Sequence, residues 1–457
     1  METPRLEEVR LTSFKSFTGQ CLPLHDLTVL IGRNGSGKSN ALDGLMVLSR
    51  LALGEPVRDV LDGPRSGGDE PIRGGVEGCT PLGRDSFSLG CRVRSGAEVF
   101  DLDLEVAVRP EVRILREELT AVEGVQYGGR RLAAGRSLLA SDPPDHRRSD
   151  LKVRCFNGRR GLDPGIPFAA DRLLTSQVPV RLPLTTEAAK LVHRAARAVL
   201  PVLREVFLLD PVPHLMRQYV NARDTELRRS ADNLSAAVES LSETDSAAFD
   251  RLTDLVAGMP EYPVKGISSV DTPLGDVQLV LRETGYHGKE HDVPARLLSD
   301  GMLRFLAFGT ALLSAPVSDG AEEPLRAQRH LVIEEIENGL YPTQAARVLR
   351  LMKEESERRS IDVLFTTHSP ALFNSLAAQD HSGVVVCSRD PASGESVLTR
   401  LTDLPGYVDL LAAGDLGDAV TKGRLPDAVH PRDTGSDCLS PTSWTRPYSS
   451  NCSMSLI

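Results

Sequence analysis

The eight residues Gly32-Arg33-Asn34-Gly35-Ser36-Gly37-Lys38-Ser39 have the spacing GxxxxGK[ST], the pattern of a loop that cradles phosphate. Gly32, Gly35 and Gly37 let the backbone turn tightly enough for successive N–H groups to face phosphate oxygens. A helix starting where the loop ends adds the positive end of its dipole. In that arrangement Lys38 reaches the β and γ phosphates and Ser39 offers a hydroxyl to magnesium, with Arg33, Asn34, Ser36 and Asn40 completing the cradle. The flanks suit this chemistry. Residues 28–31 predict a buried strand, while Leu42, Leu45, Met46 and Leu48, apolar against polar Asn40 and Asp43, predict the helix. A chance glycine-rich turn is the bland alternative.

Three more stretches carry groups of the right kind. Leu297-Leu298-Ser299-Asp300-Gly301-Met302 opens an apolar helix, with Ser299 as N-cap and Asp300 in the first turn. Plain capping explains that stretch equally well. Residues 330–342 read HLVIEEIENGLYP, in which an apolar run ends in Glu334 and Glu335. Two acids directly after a buried strand call for a cation or a catalytic task. Residues 361–370 read IDVLFTTHSP, a second apolar strand ending in Thr366, Thr367 and His368 before a helix start with a Ser369 cap and Pro370 at its first position. A lone histidine there is ordinarily structural.

Taken in order, GRNGSGKS, LSDGM, VIEEIENGLYP and TTHSP resemble the Walker A, signature, Walker B with D-loop, and switch-histidine motifs of ATP-binding-cassette ATPases. The resemblance is to the soluble RecF/SMC-like branch, which includes stand-alone predicted ATPases and the ATPase parts of OLD-type proteins. FLLDPVPHLMRQY at 207–219 and LLSDGMLRFLAF at 297–308 are similar to its RecF-like subgroup, and the likeness extends over residues 5–425. Asp300 and Met302 stand where transporter ATPases have Gly and Gln, Ile336 where relatives have Pro, and Tyr341 where His is common. These departures argue against a transporter ATPase.

The resemblance implies an ATP hydrolase using ATP and Mg2+. Lys38 and the loop amides would hold the phosphates, Ser39 and Glu334 would serve magnesium, Glu335 would orient or activate the attacking water, and His368 would contact the γ-phosphate. Gln177, in LLTSQVP, is a Q-loop candidate, with a surface glutamine as the alternative. In such ATPases the signature helix completes the site of a second molecule. Ser299, Asp300 and Gly301 would thus approach a partner copy's γ-phosphate, giving a homodimer on ATP binding.

The groups need a frame to position them. Alternation over 87–93, 99–108 and 112–122 predicts an antiparallel sheet packed on the nucleotide core. Helices are predicted at 185–200, in two segments between 232 and 258, and at 343–359, with a hairpin over 264–283 and a strand at 383–387. Residues 62–84 read as a glycine-rich surface loop. Phe14 and Lys15 stand where an aromatic and a cation could approach a nucleotide, or in a half-buried edge strand. With no sustained heptads, a long coiled-coil arm is not expected. The expected fold is α/β, a two-lobed ATPase head. Residues 1–125 and 328–426 form lobe I, residues 126–327 an inserted lobe II carrying the signature, and 427–457 a disordered tail.

Composition narrows the partners. The 457 residues carry a net charge of −10, so the whole molecule has no attraction for nucleic acid, and any DNA contact must be local. The candidate patch is Arg130, Arg131, Arg136, Arg147, Arg148, Arg154, Arg159 and Arg160, for which a solvated loop is the better reading. Seven cysteines without metal spacing suit a reducing cytosol. The absence of a signal core or a long apolar run predicts a cytoplasmic protein that spans no membrane. The leading expectation is an ATP-driven dimerising switch in DNA repair or defence against foreign DNA. The alternatives are a regulatory ATPase that gates a separate effector protein without touching DNA, and an OLD-like nuclease. Only about 90 residues follow His368, few for a nuclease domain.

Overall fold

The computed structural model describes residues 3–63, 71–145, 149–159, 161–258, 264–285, 288–314, 327–339, 345–405, 407–408 and 411. A hairpin of β1 (Arg5–Phe14) and β2 (Phe17–Pro23) leads into β3 (Leu27–Ile31) and α1 (Lys38–Ala52), then α2 (Val57–Asp62). Next come β4 (Ser86–Ser95), β5 (Glu98–Ala107), β6 (Arg113–Glu123), a short ribbon of β7 (Gln126–Tyr127) and β8 (Arg130–Arg131), then β9 (Arg136–Ser141), β10 (Asp150–Cys155) and β11 (Gly165–Ala169). Helices α3 (Leu174–Arg181) and α4 (Glu187–Arg204) precede β12 (Val206–Leu209). The following segment holds α5 (Pro213–Met216), β13 (Val220–Asn221), α6 (Leu234–Thr244), α7 (Ser246–Ala257), β14 (Val264–Asp271), β15 (Asp276–Thr284), β16 (Glu290–Pro294) and α8 (Asp300–Leu313). The chain returns through β17 (Arg329–Ile333), α9 (Ala345–Arg359), β18 (Ile361–Thr367), α10 (Pro370–Asn374), β19 (Val384–Arg389) and β20 (Ser396–Arg400).

Among the described residues, fourteen strands form one hydrogen-bonded sheet in the order β11-β10-β9-β6-β5-β4-β1-β2-β20-β19-β3-β18-β17-β12. From β19 to β12 the neighbours are parallel. Ile31 pairs with Thr367 and Ile333 with Phe365, so β3, β17 and β18 end nearly level on one edge. Both faces of this part are covered. Leu30, Val332, Leu364 and Val385 enter one core with α1 and α4, whereas Val29, Ile31, Leu331, Ile333, Val363 and Phe365 enter another with α6 to α9. Burial on two sides is why these strands read as unbroken apolar runs, while β4 to β6 alternate.

A second, four-stranded sheet joins β13, β14, β15 and β16 and packs with α6, α7 and α8. The predicted lobe boundary at 126 needs correction. Strands β9 to β12 belong to the large sheet, so the separate unit starts after β12 and ends with α8. The change of texture near 125 marks the β7–β8 ribbon and its turns, not a change of sheet. The longest described helix, α4, has 18 residues, too short for an arm. The predicted tail at 427–457 lies outside the described residues, as do Tyr341, Arg147, Arg148 and Arg160.

One buried acid fastens α3 to the sheet. Glu117 of β6 is fully buried, and its carboxylate accepts the N–H groups of Leu174 at 2.6 Å and Thr175 at 2.5 Å. Burial pushes its pKa up from 4.5 to about 7 against the pull of these donors. Because the folded value lies above the unfolded one, the buried acid's contribution to stability is full below pH 4.5, where it is neutral, and is lost as pH rises through about 7, where burying its charge costs more than the two N–H donors return. The full span corresponds to about 3 kcal/mol. Glu117→Gln is therefore expected to flatten the fall in denaturant midpoint across this window. An unaltered pH slope in the variant would contradict the assignment.

Candidate functional site

The glycine loop leaves the end of β3 as the sequence requires. Gly35 and Gly37 have φ of 78° and 117°, left-handed values that favour glycine. A Cβ at Gly32 would lie 2.2 Å from the Cys387 carbonyl oxygen, and one at Gly37 2.3 Å from Ser396 Oγ. The loop is clamped from below. Ser396 Oγ donates to the Ser36 carbonyl at 2.6 Å, and Arg389 Nε to the Gly35 carbonyl at 3.0 Å. Asn40 Nδ2 donates to Ser16 Oγ at 2.8 Å, which ties the first turn of α1 to the hairpin. Arg33, Asn34 and Gly35 are exposed. Lys38 is buried, and its Nζ donates to the carbonyls of Gly32 at 2.7 Å and Arg33 at 3.2 Å. Burial lowers its pKa, while Cys387 and the carboxylates of Glu335, Glu337 and Glu334 act the other way.

The strand ends beside the loop bring the acids and the histidine. Glu334 follows β17 directly and accepts a hydrogen bond from the Ser39 hydroxyl. These hard oxygen donors fit magnesium, which takes one or two protein ligands and shares the rest with phosphate and water. Glu335 has φ of 49°, a left-handed value uncommon outside glycine that it shares with Lys15, Ala231 and Ser360. Its N–H donates to Thr366 Oγ1 at 2.8 Å and its Oε2 accepts from Asn338 Nδ2 at 2.7 Å. His368 follows β18, and its Nδ1 lies 2.6 Å from Glu337 Oε1, which also accepts the His368 amide at 2.5 Å. Its side chain is 45% exposed, so it is not a packed core histidine.

Arg73 is a site residue that sequence reasoning missed. Its Nη1 lies 2.9 Å from both Glu334 oxygens, its Nη2 donates to the Ser39 carbonyl at 3.1 Å, and its Nε donates to Asp43 Oδ1 at 3.1 Å. The expected free surface loop at 62–84 is, over its described part, a docked one, since Ile72, Val76 and Cys79 are buried. An apolar residue directly before the arginine was the available signal. Phe14 and Lys15 also need correction as nucleotide contacts. Phe14 is fully buried, edge-to-face on Phe87, and Lys15 Nζ is held by Asp43 Oδ2 at 2.7 Å and the Arg73 carbonyl at 2.6 Å.

Two predicted groups stand apart. Ser299 caps α8 by accepting from the Met302 N–H at 3.2 Å. Beside it Asp300 pairs with Arg217 Nη2 at 2.6 Å, and the same nitrogen donates to the Leu298 carbonyl at 2.8 Å, so the 207–219 stretch braces the signature. Among the described residues no hydrogen bond or ion pair joins Ser299, Asp300 or Gly301 to residues 32–39. Gln177 is buried, and its amide exchanges hydrogen bonds with the Ala169 backbone at 2.9 and 3.0 Å. It closes the turn into α3, and the structure does not bring it to the loop.

A family model described as "AAA domain, putative AbiEii toxin, Type IV TA system" matches residues 27–374. The chain belongs to this family. The matched span starts with β3 and ends with α10, so this AAA domain contains all four motif stretches. Among solved structures, the SMC head domain from Thermotoga maritima is 15% identical with a TM-score of 0.39, covering 87% of this AAA chain and 98% of its own. An Smc head bound to the C-terminal winged-helix domain of ScpA is 14% identical, TM-score 0.44, covering 86% and 97%. The recombination mediator RecF with ATPγS is 11% identical, TM-score 0.37, covering 87% and 98%. No curated protein matches the chain.

Proposed function

We propose that this AAA-domain protein hydrolyses ATP to ADP and phosphate and acts as an ATP-dependent dimerising switch. The observation that carries the reading is the meeting of Lys38, Ser39, Glu334, Glu335 and His368 at the carboxyl ends of three adjacent parallel strands, the place where open α/β sheets take ligands. Phosphoryl transfer asks mainly for positioning and charge neutralisation. Lys38 exchanges the carbonyls of Gly32 and Arg33 for phosphate oxygens. Ser39 and Glu334 hold Mg2+, which when bound neutralises phosphate charge. Glu335, fixed by Asn338, orients water, and His368, fixed by Glu337, presents its ring to the γ-phosphate. Ser299 and the start of α8 complete a second copy's site.

What the switch acts on divides two readings. DNA repair or defence against foreign DNA follows from the resemblance, and the family's description as a type IV toxin–antitoxin component suits defence. A separate effector protein is favoured by the arginine-rich stretch, in which three of the five described arginines pair with local carboxylates. Arg136 pairs with Asp163 at 3.7 Å, Arg131 with Glu123 at 3.8 Å, and Arg154 with Asp142. Steady-state ATP hydrolysis at low salt, with and without linear duplex DNA and with Lys38→Ala as the blank, tests both. Turnover that depends on Lys38 is expected, and an equal rate in Lys38→Ala would remove the ATPase reading. Stimulation by DNA would favour repair or defence, and an unchanged rate the effector.

A further inference from the structure

Glu334 is already paired with a cation of its own chain. The Arg73 guanidinium reaches both carboxylate oxygens at 2.9 Å through one nitrogen, and its second terminal nitrogen bonds the Ser39 carbonyl at 3.1 Å. The Ser39 hydroxyl rests on the same carboxylate. Arg73 therefore spans the two residues whose oxygens suit magnesium. A hydrogen bond between a guanidinium and a carboxylate, both charged, is about twice as strong as a neutral one, and here a single nitrogen is shared between the two oxygens. Two cations cannot share that face of Glu334, because their repulsion and the loss of donor geometry oppose it.

The arginine also has somewhere to stay. Its Nε donates to Asp43 Oδ1 at 3.1 Å, and Asp43 is buried on α1 and shared with Lys15 at 2.7 Å. The backbone carbonyl of Arg73 accepts from Lys15 Nζ at 2.6 Å, which pins the loop independently of the guanidinium. The side chain itself is 43% exposed, so it can move without repacking a core. The chain turns directly behind it at Gly74 and Gly75, with left-handed φ of 86° and 59°.

We propose that Arg73 is a stand-in cation for the divalent metal. It neutralises Glu334 and fixes Ser39 before metal binds, then yields the carboxylate to the metal while Asp43 keeps it tethered beside the phosphates. This rests on the ATPase reading above. Its consequence is a threshold: metal loading has to displace an internal competitor, so Mg2+ is taken at higher concentration than Ser39 and Glu334 alone would demand.

The experiment titrates Mg2+ against a fixed, subsaturating concentration of a fluorescent ATP analogue and reads the Mg2+ concentration giving half of the metal-dependent binding. Arg73→Gln is expected to lower that concentration by about tenfold, the order expected for losing a charge-assisted hydrogen-bond pair. Arg73→Lys, which keeps the charge but cannot reach Glu334, the Ser39 carbonyl and Asp43 at once, should shift it the same way by less. In a Glu334→Gln background the arginine has nothing to occupy, and Arg73→Gln should add no further fall. An unchanged or raised half-point in Arg73→Gln would overturn the proposal, since it would make Arg73 a bystander or a direct support of the metal complex. Failure of the wild-type chain to bind the analogue at any Mg2+ concentration would instead overturn the ATPase reading itself.

Discussion

Glu335→Gln is expected to bind ATP and Mg2+ within about twofold of the parent and to turn over at least about a hundredfold more slowly, the usual worth of a positioned general base. The substitution keeps volume and length, and its amide oxygen can still accept from Asn338. The unusual φ of 49° at this position is set by the backbone contact to Thr366 and the turn after β17, neither of which the change removes. What disappears is the carboxylate that, on the proposed reading, polarises water. Glu334→Gln should separate from it cleanly, because loss of the proposed metal ligand would shift the Mg2+ dependence as well as the rate. Equilibrium binding of the fluorescent analogue and single-turnover hydrolysis measure the two halves. Single-turnover rates above half of wild type would move the base away from Glu335. The next acid, Glu337, is already engaged by His368, so water activation would then have to be shared or indirect.

The parts of this site that could be read from sequence share a physical reason. A phosphate loop constrains residue type at consecutive positions, so Gly32 to Ser39 carries its geometry in its spelling. The parallel strands β3, β17 and β18 are covered on both faces, and unbroken apolar runs ending in Glu334 and His368 report that burial directly. Contacts chosen in three dimensions leave no such trace. Arg73 meets Glu334 across 261 residues, and only the burial of Ile72 hints that its loop is docked. Gln177 shows the converse. A glutamine whose amide closes a turn on Ala169 reads the same as one aimed at a nucleotide. The lobe boundary was misplaced for a related reason. β9 to β11 are short strands at the sheet's end, and β9 pairs with β6 across the intervening β7–β8 ribbon while β10 pairs with β9 and β11.

Ser299→Arg is expected to abolish ATP-induced dimers while leaving nucleotide binding by the monomer within about twofold. Locally the change removes an N-cap, a loss of about 1 kcal/mol that a 14-residue helix packed through Leu303, Leu306 and Phe305 withstands. The reason to expect more than that is position. Ser299 contacts its own helix, and the neighbouring Leu297 is 68% exposed, so a long charged side chain there obstructs a facing surface and not a core. Sedimentation with and without ATP measures the dimer, and dimers that persist in Ser299→Arg would exclude the composite site. A mixing experiment distinguishes a composite site from simple loss of the fold. A dimer of two Ser299→Arg copies is obstructed at both sites, whereas a two-fold dimer of Ser299→Arg with Lys38→Ala is obstructed at one only, and its other site combines an intact loop from the first copy with an intact signature from the second. Turnover that neither variant has alone should return on mixing. If the loop and signature acted within one chain, every site in the mixture would stay defective and no activity would return.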